Sequence, residues 1–84
     1  MKTKTKQEIP KWFKGTVYDE GGEVQNRFGG DSCYLNNIEL SIYDFVIGAS
    51  VCYEYGFPVN VDDLRKGLDW FKQHNPSAYM ILLD

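Results

Sequence analysis

Residues 70–84 of this chain read WFKQHNPSAYMILLD, and this stretch sets how the rest of the molecule must be arranged. The pair Asn75-Pro76 divides it, because proline disfavours helical geometry at the residue before it and favours the first position of a new helix. We therefore predict one helix that ends before Asn75 and a short final helix that begins at Pro76. The final helix is almost wholly apolar, so it needs cover on several sides, either from its own domain or from a partner.

A longer helix is predicted in the middle of the chain. Asn36 or Asn37 is placed to cap it, Glu39 lies in its first turn, and Gly56 is the expected stop. Its apolar face repeats at helical spacing and consists of Ile38, Ile42, Phe45, Val46 and Ala49. For Gly48, inside this helix, two interpretations stay open: a close approach by another helix or ring, or an ordinary tolerated glycine.

The second main helix is predicted to begin at Asn60 and to end near His74. Asp62 and Asp63 fall in its first turn, where carboxylates interact favourably with the helix dipole. Its predicted core stripe consists of Val61, Leu64, Leu68 and Phe71.

Strand-like segments precede the helices. Residues 16–18, 23–28 and 33–35 are extended in character and are separated by two glycine-rich turns. The predicted fold class is therefore α+β, with an N-terminal β-hairpin or three-stranded meander packed on two main helices and a short C-terminal helix. Residues 1–10 are expected to form a disordered basic tail, and residues 11–84 a single small domain.

The charge is unevenly distributed along the 84 residues. Five lysines and one glutamate give the first fourteen residues a charge of 5 − 1 = +4, and four basic against eleven acidic residues give the remainder 4 − 11 = −7. An acidic body argues against nucleic acid as the main partner. The apolar runs are too short to span a bilayer, no signal peptide is recognisable, and Cys33 and Cys52 fit no metal or CxxC spacing, so we expect a cytoplasmic protein with no membrane partner.

Several short motifs occur together: Lys14-Gly15, RFGGDS at 27–32, IYDF at 42–45 and GLDWF…NPSAY…LLD from Gly67 to Asp84. In this combination the chain resembles a family of short proteins of marine phages and their bacterial hosts, which share a YDF helix and a WF…NP.AY..LLD ending. The resemblance spans residues 14–84. That family is a domain of unknown function, so the resemblance implies a viral or bacterial cytosolic origin and no site residues.

The turn at residues 26–32 is the best candidate for a ligand site. A glycine-rich turn exposes backbone N–H groups that can hold an anion, and arginine can bind phosphate or carboxylate through two hydrogen bonds. The predicted site consists of Arg27, Gly29, Gly30 and Ser32, with Tyr34 as a stacking platform for a base. The other interpretation is a plain hairpin turn, because the lysine and the spacing of a P-loop are missing.

No catalytic set is recognisable. His74 is the single histidine, and no second metal-ligating residue or nucleophile occurs at a suitable spacing from it. We predict that it caps a helix end. Asp44 is read as a structural or exposed carboxylate. We therefore expect no enzyme activity, no cofactor and no metal.

Aromatic residues make up 15% of the chain, more than so small a core needs. Some should lie on a surface used for self-association, since aromatic side chains are enriched at interface cores. The predicted interface residues are Trp12, Phe13, Tyr53, Tyr55, Phe57, Tyr79, Leu82 and Leu83. For Trp12 and Phe13 a second interpretation is that they fold back over the apolar C-terminus.

The function predicted from these observations is that of a small non-enzymatic phage or bacterial accessory protein, which acts through self-association as a homo-oligomer or through another protein. The alternative is a module that sequesters a nucleotide-like anionic small molecule.

Overall fold

The computed structural model of the protein describes residues 8–83, so most of the predicted basic tail and Asp84 lie outside the described residues. Strands β1 (Gly22–Gln25) and β2 (Ser32–Leu35) are followed by helices α1 (Asn37–Glu54), α2 (Val61–His74) and α3 (Pro76–Ala78). A π-helical segment, Tyr79–Leu83, continues directly from α3. This order confirms the α+β fold class, with two main helices and a short C-terminal helix.

The sheet is a two-stranded antiparallel hairpin, in which Gly22 pairs with Leu35 and Gln25 pairs with Ser32. The third predicted strand, residues 16–18, is not formed. The backbone N–H of Tyr18 donates to Ser41 Oγ over 2.9 Å, and its carbonyl accepts from Asn37 Nδ2 over 3.2 Å. Because side chains of α1 satisfy these backbone groups, the segment lies on the helix and does not join the sheet.

Helix α1 begins and ends as its sequence indicates. Asn36 caps it with a complete capping box, in which the Asn36 side chain accepts from the Glu39 N–H and the Glu39 carboxyl accepts from the Asn36 N–H. At the other end Gly56 N–H donates to the Tyr53 carbonyl and Phe57 N–H to the Cys52 carbonyl. This pair of bonds is a Schellman motif, which ends the helix at Glu54.

Helices α1 and α2 are in close contact at Gly67. A Cβ atom added to Gly67 would lie 2.5 Å from Val46 Cγ2, whereas one added to Gly48 would meet no atom within 4 Å. The close approach considered for Gly48 therefore occurs at Gly67, and Gly48 opens to solvent.

The face that α2 buries differs from the predicted stripe. Phe71 is buried as predicted, but the other buried residues of this helix are Gly67 and Trp70. Val61 is 45% exposed, and Leu64 and Leu68 are half-buried. The contact at Gly67 rotates α2 so that one edge of its apolar stripe faces outward.

The core is built from the N-terminal segment, β2, the three helices and the π-helical segment, and consists of Phe13, Leu35, Ile42, Tyr43, Val46, Trp70, Phe71, Ala78 and Leu82. Trp12 and Phe13 fold onto α1, where their rings lie 6.3 and 5.7 Å from that of Phe45. Ile9 also packs against the core, so ordered structure reaches at least two residues before the predicted boundary at Lys11.

Asn75 joins the C-terminal segment to the start of α1. Its Oδ1 accepts from the Ala78 N–H over 3.1 Å and caps α3, while its Nδ2 donates to Glu39 Oε2 over 2.9 Å. Glu39 is completely buried, and Asn75 nearly so. The capping box of α1 and the bend between α2 and α3 thus share one buried carboxyl group.

Paired alanine substitutions test the helix contact. Gly67→Ala should lower the free energy of unfolding by about 1–2 kcal/mol, since overpacking outweighs the gain in helix propensity. Gly48→Ala should raise it by about 0.5–1 kcal/mol, since the same gain comes without a clash. Urea denaturation measures both, and a Gly67→Ala protein as stable as the wild type would contradict the packing.

Substitutions at two capping asparagines distinguish the contribution of helix capping to stability from that of the hydrogen bond to Glu39. Asn60 caps α2 through the Asp63 N–H over 3.1 Å, and this bond is exposed. Asn60→Ala should cost about 1 kcal/mol. Asn75→Ala should cost about 2–4 kcal/mol, because it removes a cap and also takes one donor from a buried carboxyl group. Equal losses in chemical denaturation would show that the Glu39 link contributes nothing to stability.

Candidate functional site

The hairpin loop, residues 26–31, is organised from within by Asn26. Its Oδ1 accepts from the Phe28 N–H over 2.8 Å, and its carbonyl accepts from the Gly29 N–H over 2.9 Å. Gly29 and Gly30 have φ angles of 93° and 95°, which L-residues with side chains rarely adopt. The N–H groups of Phe28 and Gly29, which an anion in this turn would need, thus already donate to Asn26.

The side chains predicted to hold an anion also have partners. Arg27 forms an ion pair with Glu54 of α1, and its guanidinium lies 4.8 Å from the centre of the Phe28 ring. Ser32 Oγ donates to Glu23 Oε2 over 2.9 Å. An anion would have to displace two carboxylates from these donors, so the loop geometry favours a structural turn.

Tyr34 does not lie near the loop. Its hydroxyl approaches Gly21, where an added Cβ would lie 2.8 Å away, at the open end of the hairpin. Arg27, Gly29, Gly30 and Ser32 lie together at the loop end of the hairpin, so Tyr34 is the one residue of the predicted site that is separated from the others, and the binding itself stays a prediction.

The predicted interface residues divide into three groups by burial. Phe13 and Leu82 are buried in the domain's own core, which the short chain uses them to complete. Trp12, Tyr79 and Leu83 are half-buried and pack against it. Tyr53, Tyr55 and Phe57 are exposed, by 63%, 74% and 61%. The last three lie at the end of α1 and in the loop that follows it.

An apolar depression of about 230 Å³ separates the end of α1 from the start of α2. We call it the α1–α2 groove, and it is lined by Tyr53, Val61, Leu64, Arg65 and Leu68. Sequence reasoning missed it because the leucines and the valine had been assigned to the core. The apolar arc of α2, from Val61 round to Trp70, is wider than α1 alone can cover. This width is the feature of the sequence from which the exposed groove could have been predicted.

A second depression, of about 220 Å³, adjoins the α1–α2 groove at Leu68. The hairpin loop and the C-terminal segment form its other walls, with Phe28 and Leu83 among the lining residues. Phe28 is 85% exposed, the largest value among the exposed apolar side chains. Together the two depressions extend from the start of α2 to the hairpin, and the wall of the second also contains Asn26, Ser50 and the Arg27–Glu54 ion pair.

On a different set of α1 side chains lies a mostly apolar cleft of about 350 Å³, which we call the acidic cleft. Its lining residues are Asp44, Phe45, Gly48, Ala49, Cys52, Pro58, Val59, Asn60 and Asp63. Asp44 Oδ2 accepts a hydrogen bond of 2.7 Å from the Tyr18 hydroxyl. That bond to the carboxylate raises the pKa of Tyr18 above its ordinary value.

His74 stacks on Trp70, with ring centres 4.5 Å apart, and its Nδ1 lies 3.0 Å from the Trp70 carbonyl. Both contacts are with its own helix, as expected of a residue at a helix end. Within residues 8–83, no three histidine, cysteine or acidic side chains come together in a way that could hold a metal ion.

No protein-family model, curated protein or solved structure shows significant similarity to this chain, so the resemblance to the phage family stays a prediction. Among the helices of the described residues, none combines the length and apolar character needed to cross a membrane.

The engaged donors of the hairpin loop lead to a prediction about anions. Adding about 1 mM of a mono-, di- or cyclic nucleotide should change the melting temperature by less than about 1 °C. Thermal-shift measurements on the wild type and on Arg27→Ala test this. A rise in the wild type that Arg27→Ala abolishes would show that the loop exchanges its internal bonds for an anion.

Proposed function

We propose that this protein is a non-enzymatic interaction protein that works as a homo-oligomer, assembled through the α1–α2 groove. The single observation that carries the proposal is the exposure of the Val61–Leu64–Leu68 edge, an apolar stripe that the domain itself leaves half uncovered. Contiguous apolar surface of this kind on a small domain is typical of an interaction site.

The aromatic residues around the α1–α2 groove support the same proposal. Tyr53 lines it, and Tyr55 and Phe57 follow within four residues, all largely exposed. Aromatic side chains contribute large contact areas at little entropic cost, and they dominate the centres of protein interfaces. A second copy placed on the groove would cover them.

The charges beside the α1–α2 groove favour a second copy as the occupant. Arg65 lines the groove and forms no ion pair with any described residue, whereas Glu54 lines the adjoining depression and is paired with Arg27 of its own chain. An interface between two copies joins the same surface to itself, so Arg65 of one copy would share the Glu54 carboxylate of the other with that copy's Arg27. A surface that carries a positive charge on one side and a negative charge on the other is complementary to a second copy of itself.

The biological setting of the proposal rests on the resemblance alone. It places the protein in the cytoplasm of a bacterium or of a phage-infected host, as an accessory factor that acts by assembly. The alternative of sequestering a nucleotide-like anion gains no support from the hairpin loop, whose donors are engaged.

Sedimentation equilibrium at increasing protein concentration tests the apolar part of the contact. The wild type should form dimers, and Val61→Asp should weaken dimerisation about tenfold or more, because it places a charge in the interface. Asp is favourable at the start of a helix, so the variant should keep its fold. Val17→Asp is the matched control, since Val17 is 47% exposed and does not line the groove.

The charged part of the contact has its own pair of variants. Arg65→Glu should weaken dimerisation, whereas Lys66→Glu, the same charge change one position further along α2 and outside the groove, should not. A wild-type protein that remains a monomer at every concentration would remove the proposal. Equal effects of Val61→Asp and Val17→Asp would place the interface elsewhere.

A further inference from the structure

We propose that the acidic cleft binds a compact apolar ligand that carries an ammonium or guanidinium group. This inference is independent of the self-association proposal, because no residue of the acidic cleft lines the α1–α2 groove or the depression beside it.

The shape and walls of the acidic cleft determine the apolar part of the ligand. A volume of about 350 Å³ is at the small end of the range for ligand pockets, so the occupant is compact. Phe45, Ala49 and Cys52 of α1 form one wall, and Pro58 and Val59 of the loop form the other. Gly48 of α1 also lines the cleft, and no atom lies within 4 Å of where its Cβ would be, so the cleft is open at this point, which we call its floor.

The charges of the acidic cleft determine the polar part of the ligand. Asp44 and Asp63 are the two ionisable carboxyl groups that line it, and none of its lining residues is a lysine, arginine or histidine. Neither carboxylate forms an ion pair with any described residue. Asp44 receives one hydrogen bond, from Tyr18, which leaves it further acceptor capacity.

The N-terminus of α2 also faces the acidic cleft, through its cap Asn60. A helix N-terminus carries roughly half a positive charge, which would favour an anion. Asp62 and Asp63 in the first turn outweigh it, since each carries a full negative charge. The Asn60 oxygen already accepts from the Asp63 N–H, so the balance of charge remains negative.

Phe45 adds a further attraction for a cation. It is half-buried among the rings of Trp12 and Phe13, which fix its position. A cation within about 6 Å of an aromatic face is attracted to its ring quadrupole. The acidic cleft thus combines an apolar floor, two carboxylates and an aromatic wall, a combination that selects a hydrophobic cation over a neutral or anionic molecule of the same shape.

Three probes of nearly equal shape separate the contributions. They are 2-phenylethylamine, 2-phenylethanol and 3-phenylpropanoate, titrated into the ¹⁵N-labelled full chain and followed by amide chemical shifts. The amine should bind about three- to tenfold more tightly than the alcohol, because each partly exposed carboxylate contributes roughly up to fivefold, and the anion should bind most weakly. The shifts should centre on Gly48, Cys52 and Val59.

Two variants locate the binding. The double variant Asp44→Asn with Asp63→Asn should remove the preference for the amine over the alcohol while it preserves the shape of the acidic cleft. Its control is Glu23→Gln with Asp69→Asn, which removes two exposed carboxylates that do not line the cleft. Gly48→Leu should fill the floor and reduce binding of both probes at least about tenfold, and the open space there predicts a folded protein.

The peptide acetyl-Leu-Lys-Leu-amide tests whether the cationic group belongs to a polypeptide or to a small molecule. If the peptide binds more tightly than the free amine at the same amides, the ligand is a lysine or arginine side chain of a polypeptide; if the free amine binds more tightly, it is a small molecule. The proposal is overturned if the amine has no advantage over the alcohol, if the shifts lie outside the acidic cleft, or if Gly48→Leu binds the amine as well as the wild type does.

Discussion

The buried carboxyl group of Glu39 is the point on which the architecture depends. It closes the capping box of α1 through the Asn36 N–H and accepts a hydrogen bond from Asn75, 36 positions away in the chain. A carboxyl group without solvent must have its acceptors occupied, since an unsatisfied buried polar group is costly. These two hydrogen bonds link the start of α1 to the bend before α3. The segment after this bend carries Ala78 and Leu82 into the core, which a chain of this size needs in order to be stable.

The close contact at Gly67 fixes what the domain leaves exposed. It brings α2 against Val46 and buries Trp70 and Phe71, and it turns the Val61–Leu64–Leu68 edge outward. The α1–α2 groove follows from that rotation, since Val61, Leu64 and Leu68 line it. The acidic cleft lies elsewhere, between α1 and the loop residues Pro58 and Val59 that lead into α2.

Local signals predicted the elements well because capping and turn chemistry act over a few residues. Asn36, Asn60 and Asn75 each cap a helix, and the first main helix ends at the expected glycine. Of the two predicted alternatives the hairpin is formed and the three-stranded meander is not, because the backbone of Tyr18 bonds to side chains of α1, which local β-propensity cannot indicate. The candidate surfaces were predicted less well. Tyr53, Tyr55 and Phe57 are exposed as expected of interface residues. The hydrogen-bond donors of the predicted anion site instead bind Asn26, Glu23 and Glu54.

The sequence by itself determined the fold class, the ends of the helices and the division of the C-terminal stretch at Asn75-Pro76, because these depend on interactions between residues close together in the chain. Only the tertiary structure decided that Asn75 at this division donates a hydrogen bond to Glu39. It also decided that α2 packs on α1 at Gly67 and that part of the apolar stripe of α2 is exposed to solvent. Such features depend on which side chains meet across the fold. A helical repeat gives the direction of an apolar face, whereas its burial depends on the width of the neighbour that covers it.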